Sequence, residues 1–228
     1  MMGLKSRKTF VCIFVVASCL CAWLFAFAGE KGLLADEILD RVETRYDCES
    51  FSATFKQTST LKAMNITDTA GGTVVFKRPR KFRWVYSKPD KQYIISDGVR
   101  LWIFKPDEKQ VMVGKAPTLF GNGRGASFFS DIKSLRTDFS PGIASDRQKE
   151  GCYILKLTPK QKSELLNVVY MEIDKSTFEV TAVETVNAYG DDTRLEFSDR
   201  EFCKKVDDSL FTFDIPIDAD VITLDNES

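Results

Sequence analysis

The chain contains no histidine. Without an imidazole there is no Ser–His–Asp or Cys–His nucleophile, and the usual catalytic zinc ligand sets are gone as well. A phosphate-cradling loop is also missing, since the glycines of Gly121-Asn122-Gly123-Arg124-Gly125 precede no Lys-Ser/Thr pair. One adjacent pair of acids, Asp191 and Asp192, follows Gly190; a solvated turn accounts for it better than acid–base chemistry does. Charge of one sign is not in excess: 32 Lys and Arg face 33 Asp and Glu, a formal net charge of −1. Nothing in that balance points to nucleic acid. Of the six cysteines, Cys12, Cys19 and Cys21 lie in an apolar stretch near the N-terminus. Cys48, Cys152 and Cys203 remain, an odd number without metal-like spacing. One disulfide with one thiol, or three buried thiols, both fit, and the sequence does not choose a pair. These residues exclude most enzyme chemistries, though not every one, and no cofactor or metal site is expected from them.

What is present begins with an address. Lys5, Arg7 and Lys8 precede an apolar run from Thr9 to Phe27 that closes in Ala26-Phe27-Ala28. A basic start, an apolar middle and small residues at the end are the marks of a secretory signal peptide, cleaved here after Ala28. A membrane-spanning anchor is the alternative, because the run approaches the ~20 residues such a helix needs. Val16-Ala17-Ser18-Cys19 also resembles the lipobox at which bacterial lipoproteins are acylated, although Leu20 to Phe27 stays apolar. Cleavage would remove three positive charges and no negative ones, taking the net charge from −1 to −4. Residues 29–228 then form a single domain long enough to bury a core.

Periodicity outlines that domain. Leu34, Ile38, Val42 and Tyr46 recur at four-residue spacing with acids between them, which predicts an amphipathic helix over 33–46. From Phe51 the period drops to two: Phe51, Ala53 and Phe55 alternate with polar residues. Gly71-Gly72 reads as a turn and 73–77 as a strand. Arg78-Pro79-Arg80 breaks the pattern, and Phe82-Arg83-Trp84-Val85-Tyr86 resumes it. Asp97-Gly98, set between Tyr93-Ile94-Ile95 and Leu101-Trp102-Ile103-Phe104, signals a hairpin. Gln110 to Val113 follows. Pro117 to Leu135 reads as a helical insertion, with Phe128, Phe129, Ile132 and Leu135 at helical spacing. Strands resume over 153–157, 168–173, 180–187, 193–197 and 211–213, the last ended by Pro216. One antiparallel sheet curled around two helical segments accommodates this order. The many phenylalanines, with Trp84 and Trp102, supply large stiff walls to such a sheet.

The run Gly72-Thr73-Val74-Val75-Phe76-Lys77-Arg78-Pro79, then Phe82, Trp84, Pro89-Asp90, Ser96-Asp97-Gly98, Leu101-Trp102, Pro106 and Gln110-Val111 resembles the LolA family of periplasmic outer-membrane lipoprotein carriers. Leu157-Thr158-Pro159-Lys160, Ala182-Val183-Glu184 and Phe211-Thr212-Phe213 extend the likeness. It implies a mainly β fold with helices: an incomplete, half-open antiparallel barrel capped by a helical lid, enclosing a hydrophobic cavity. It also implies a periplasmic chaperone, not an enzyme, that takes acylated lipoproteins from an inner-membrane ABC transporter to an outer-membrane receptor, and works as a monomer. Arg78 matches the family's arginine that holds the lid shut. Phe82 and Trp84 are expected to line the cavity, with Phe51, Phe55 and Trp102. Leu34, Ile38, Phe128 and Phe129 are lid-side wall residues by periodicity. Gly121 to Gly125 matches no element of the family. Three rival readings stand beside the carrier: a receptor of the same fold acylated at Cys19, a periplasmic lipid-sensing regulator, and a hydrolase lacking both histidine and a carboxylate constellation.

Overall fold

Residues 33–116 and 132–224 are described by the computed structural model. They open with helix α1 (Ala35–Arg45). Its start is set by Glu37, whose carboxylate accepts the Leu34 amide 2.8 Å away. Asp36 and Glu37 in the first turn and Arg45 in the last both suit the helix dipole. Ile38, Leu39 and Val42 form its buried stripe.

The chain then runs as a meander through β1 (Ser50–Leu61), β2 (Ile66–Lys77), β3 (Lys81–Lys88), β4 (Gln92–Asp97), β5 (Arg100–Lys105) and β6 (Gln110–Lys115). The single helical turn α2 (Leu135–Asp138) leads into a second meander. This comprises β7 (Phe139–Ile143), β8 (Cys152–Pro159), β9 (Val168–Asp174), β10 (Val180–Val186) and β11 (Asp192–Phe202). β11 pairs with β1 and fuses the two meanders. β12 (Asp220–Thr223) returns to lie parallel to β6. The strand order is β12-β6-β5-β4-β3-β2-β1-β11-β10-β9-β8-β7, one open 12-stranded sheet whose edges do not meet. Among the described residues, no helix is long and apolar enough to cross a membrane.

Residues opposite each other in register share a face of the sheet. Phe51 faces Phe76, Phe76 faces Phe82, and Val74 faces Trp84. Trp84 faces Ile94, and Ile94 faces Ile103. Across the seam Phe55 faces Phe197 and Gln57 faces Leu195, which leads through Val183 and Met171 to Leu155. All of these apolar residues are buried. α1 covers part of this face, since Tyr46, its C-terminal cap, packs edge-on against Phe51 and Phe202. The opposite face has its own apolar cluster under the C-terminal segment: Ile95, Trp102 and Val111, with Tyr93, Phe104 and Phe213 against them.

Several sequence expectations are corrected here. Gly71-Gly72 is no turn but lies inside β2. At Gly72 the neighbouring strand comes so close that a Cβ would stand 1.9 Å from the Val85 carbonyl oxygen, so glycine serves a close approach between backbones. The reversal occurs earlier, at Lys62–Met64, closed by Asn65 with φ of 52°. Phe211 belongs to a 3-10 turn (Asp208–Phe211), not a strand, and Pro216 does not end the sheet, because β12 follows it. β7 was not expected either. It holds Pro141 and Gly142, which a strand tolerates at an open edge. Of the expected 117–135 insertion, only the 3-10 turn Ile132–Ser134 and α2 fall within the described residues.

Candidate functional site: an aromatic face and the ties on α1

The centre of the sheet carries a continuous aromatic belt on the α1 side. Phe51 stacks on Phe76 with ring centroids 6.0 Å apart. Phe76 meets Phe82 at 6.3 Å and Trp84 at 5.9 Å. Trp84 in turn packs edge-on with Phe55 at 4.7 Å. These five side chains sit on the neighbouring strands β1, β2 and β3, so strict alternation in three adjacent strands builds one wall. The Tyr86 hydroxyl donates to Gln57 Oε1 at 2.9 Å at its far end, giving the belt a polar margin.

The remaining expected wall residues are distributed differently. Ile38 is fully buried on α1. Leu34 precedes the first helical turn and is 63% exposed, so it lies outside the packed set. Trp102 is a correction: it pairs with Ile95, on the face opposite Trp84, and packs against Phe213 with centroids 6.5 Å apart. Phe128 and Phe129 lie outside the described residues.

α1 is fastened at its C-terminal end. β1 starts just after the helix and pairs antiparallel with β2, so Lys77 ends opposite Ser50. The turn that follows β2 must therefore emerge beside residues 46–49. Arg78 occupies that turn. Its backbone amide donates to the Glu49 carbonyl at 2.9 Å. Its guanidinium donates to the Tyr46 carbonyl at 2.7 Å and to Asp47 Oδ1 at 2.8 Å. The Tyr46 carbonyl belongs to the last helical turn, where such groups lack a partner within the helix. The rigid guanidinium fork satisfies it and a carboxylate together. A small cleft of about 10 Å³, lined by Tyr46, Cys48, Phe51, Phe76 and Arg78, lies beside this contact. The Arg78 hydrogen bond, then that of Lys133, holds the Asp47 carboxyl below the usual carboxylate range.

Other ties on α1 are ones that sequence reasoning missed. The Tyr46 hydroxyl accepts the Val180 amide at 3.0 Å, and burial pushes its phenol pKa well above the usual value. Arg45 donates to Glu179 at 2.7 Å and lies over the Phe202 ring at 3.6 Å. Burial alone would push the Glu179 carboxyl up. Hydrogen bonds from Arg45 and Arg200 outweigh it and hold the group low. Along the outer side of the helix, Arg136 of α2 donates to Glu43 at 2.8 Å, Asp36 at 2.9 Å and Asp40 at 2.6 Å. Only the acids Asp36, Asp40 and Glu43, spaced by four and three residues on α1, hinted at such a cation. Their partner lies about a hundred residues away.

The site is thus an aromatic face on an open, mainly antiparallel sheet, partly covered by one helix tied at its end. Residues 47–214 match the family model described as outer membrane lipoprotein carrier protein LolA, and the chain belongs to that family. A protein named outer-membrane lipoprotein carrier protein from Albidiferax ferrireducens is 32% identical over 158 residues, covering 68% of this chain and 73% of its own. Another of that name from Methylibium petroleiphilum is 30% identical over 211 residues, 88% of this chain and 96% of its own. In fold, the chain is similar to the crystal structure of an uncharacterized conserved protein from Thermus thermophilus, with a TM-score of 0.52 and 17% identity, covering 83% of this chain and 98% of that one.

Proposed function

We propose that this chain is a periplasmic carrier that binds the acyl chains of lipoproteins against the aromatic face beneath α1. The observation that carries the reading is the belt Phe51–Phe76–Phe82–Trp84–Phe55, which the C-terminal end of α1 reaches through Tyr46 on Phe51, beside the Arg78 tie on that end. The names of the relatives support the cargo class. Residues 1–28 direct export and are removed after Ala28, and residues 29–228 act as a monomer. Loading comes from an inner-membrane ABC transporter and delivery goes to an outer-membrane receptor.

Energetics explain why such a device is needed. Burying each methylene contributes roughly 0.8 kcal/mol, so several long acyl chains do not cross water unaided at a useful rate. Release must nevertheless occur without an energy source, so the acyl site cannot be a deep trap. A helix held by a few hydrogen bonds is a bistable cover of suitable size. Acyl chains displace α1, the Arg78 contacts break, and the aromatic belt takes up the chains.

The test is native mass spectrometry of the protein purified from periplasm, with lipid extraction. Co-purified triacylated lipoprotein on a chain beginning at Gly29 is the expected result. A diacylglyceryl-modified Cys19 would assign the chain to the receptor of the same fold. A lipid-free chain that also refused acylated peptide would reject the carrier.

A further inference from the structure

The register that brings Arg78 to α1 also gathers two cysteines. Phe51 pairs with Phe202, so Cys203 emerges opposite Ser50, two residues beyond Cys48. The Cys203 amide donates to the Ser50 carbonyl oxygen at 2.9 Å. The Cys48 thiol donates to the same oxygen at 3.1 Å. Those two distances to one atom place the Cys48 sulfur and the Cys203 nitrogen no more than 6.0 Å apart. Burial first, and then a hydrogen bond with the Cys203 side chain, raise the Cys48 thiol pKa. Disulfides span Cα separations of roughly 4.4–6.8 Å, and the shared contact with the Ser50 carbonyl oxygen brings the two residues close together. Among the described residues Cys152 is far from both: it starts β8, with β9, β10 and β11 between it and β1.

We propose that Cys48 and Cys203 form a disulfide that pins the base of α1 to the β1–β11 seam, leaving Cys152 as the thiol. The oxidant is a disulfide carried by a thiol–disulfide oxidoreductase, and the proposal rests on the periplasmic reading only for that oxidant's presence. Cys203, the exposed member, loses a proton and attacks one sulfur of the donor, releasing the other as a thiolate. The half-buried Cys48 then loses its proton and attacks the Cys203 sulfur of the mixed disulfide. The Cys48–Cys203 bond forms, the bond to the donor breaks, and the donor leaves as a dithiol carrying both electrons and both protons.

The position of this link gives it a mechanical consequence. Cys48 lies two residues beyond Tyr46, whose carbonyl Arg78 holds. Once the bond is made, the C-terminal end of α1 is anchored covalently, and the helix swings about that end when its other ties are broken. The reduced chain has only non-covalent ties there: ring packing, ion pairs and hydrogen bonds.

Purified protein is equilibrated with oxidised and reduced glutathione, blocked with an alkylating agent, and digested with trypsin without reduction. The expected product joins peptide 46–56 to peptide 201–204, two hydrogens lighter than the free pair, and disappears on reduction. It persists in Cys152→Ser and is lost in Cys203→Ser. Reduction lowers the thermal midpoint by roughly 5–15 °C in wild type and leaves it unchanged in Cys203→Ser. Alkylation of both cysteines at every glutathione ratio, or a link from either one to peptide 150–156, would overturn the assignment. This test is independent of compartment, so its failure is distinct from failure of the carrier reading, which lipid co-purification decides.

Discussion

The Val180 amide donates to the hydroxyl oxygen of Tyr46 at 3.0 Å, which joins the end of α1 to the start of β10 through a buried contact. Tyr46→Phe keeps the ring packing on Phe51 and Phe202 and removes only the acceptor. A buried amide left without a partner costs about 1–3 kcal/mol. The denaturant midpoint should fall accordingly with an unchanged slope; an unaltered midpoint would mean that water replaces the hydroxyl.

Arg78→Leu removes the donor to the Tyr46 carbonyl. The hydrogen bond is charge-assisted and half-buried, worth roughly 1–2 kcal/mol, so the end of α1 should open about tenfold more often. Hydrogen exchange of amides 42–46 reads this directly. Arg78→Lys should not restore protection, because a single ammonium cannot hold the carbonyl and Asp47 in one plane. Unchanged exchange in Arg78→Leu would remove the latch from the proposal.

Arg136→Ala should free the outer side of α1 by roughly 1 kcal/mol, since exposed ion pairs are individually weak. Glu43 is the least exposed of its three acids, so Glu43→Gln should account for most of that effect, and Asp36→Asn for little. A double substitution of Arg136 and Glu43 that simply added the two single effects would show that the pair is not coupled.

Trp84 and Trp102 report opposite faces. In the chain without residues 1–28 they are the only tryptophans. Acylated peptide should change the emission of Trp102→Phe, which keeps Trp84, and leave Trp84→Phe nearly silent. The reverse pattern would move the binding face to the side under the C-terminal segment.

The ties on α1 should be indifferent to pH over the physiological range. Asp47 and Glu179 both titrate below their ordinary values. Their folded-state pKa values are depressed, so the stability they contribute is full above about pH 4–5 and is lost as pH falls through the lowered values. No histidine is present to titrate near neutrality. Thermal midpoints should be flat between about pH 5.5 and 7.5 and decline below pH 4. A slope centred near pH 6.5 would require a group that the described residues do not contain.

These tests separate what alternation encodes from what only register decides. Phe51, Phe55, Phe82 and Trp84 were legible because each strand alternates and the strands are consecutive. Trp102 was not, although it shares an even number with Trp84. The two-residue connection Gly98-Val99 pairs Ser96 with Leu101, which transfers the inner face from even to odd positions. Leu34 keeps the helical phase but falls one residue before the helix, where nothing packs on it. Arg78 came from the resemblance alone, since a cation beside a turn carries no signal of its partner. Arg136, Glu179 and the meeting of Cys48 with Cys203 depend on strand pairings far apart in the chain, and no local period reports those.

The strand order also shapes how the molecule comes into being. β1 is made early, but its second neighbour, β11, is made some 130 residues later. During that interval β1 is a twelve-residue edge rich in phenylalanine and threonine with an unpaired row of backbone groups. Such an edge invites pairing with another chain, and its exposure ends only when the second meander has formed. Truncation before Asp192 would make that state permanent. A strand made late, β11, therefore protects one made early, β1.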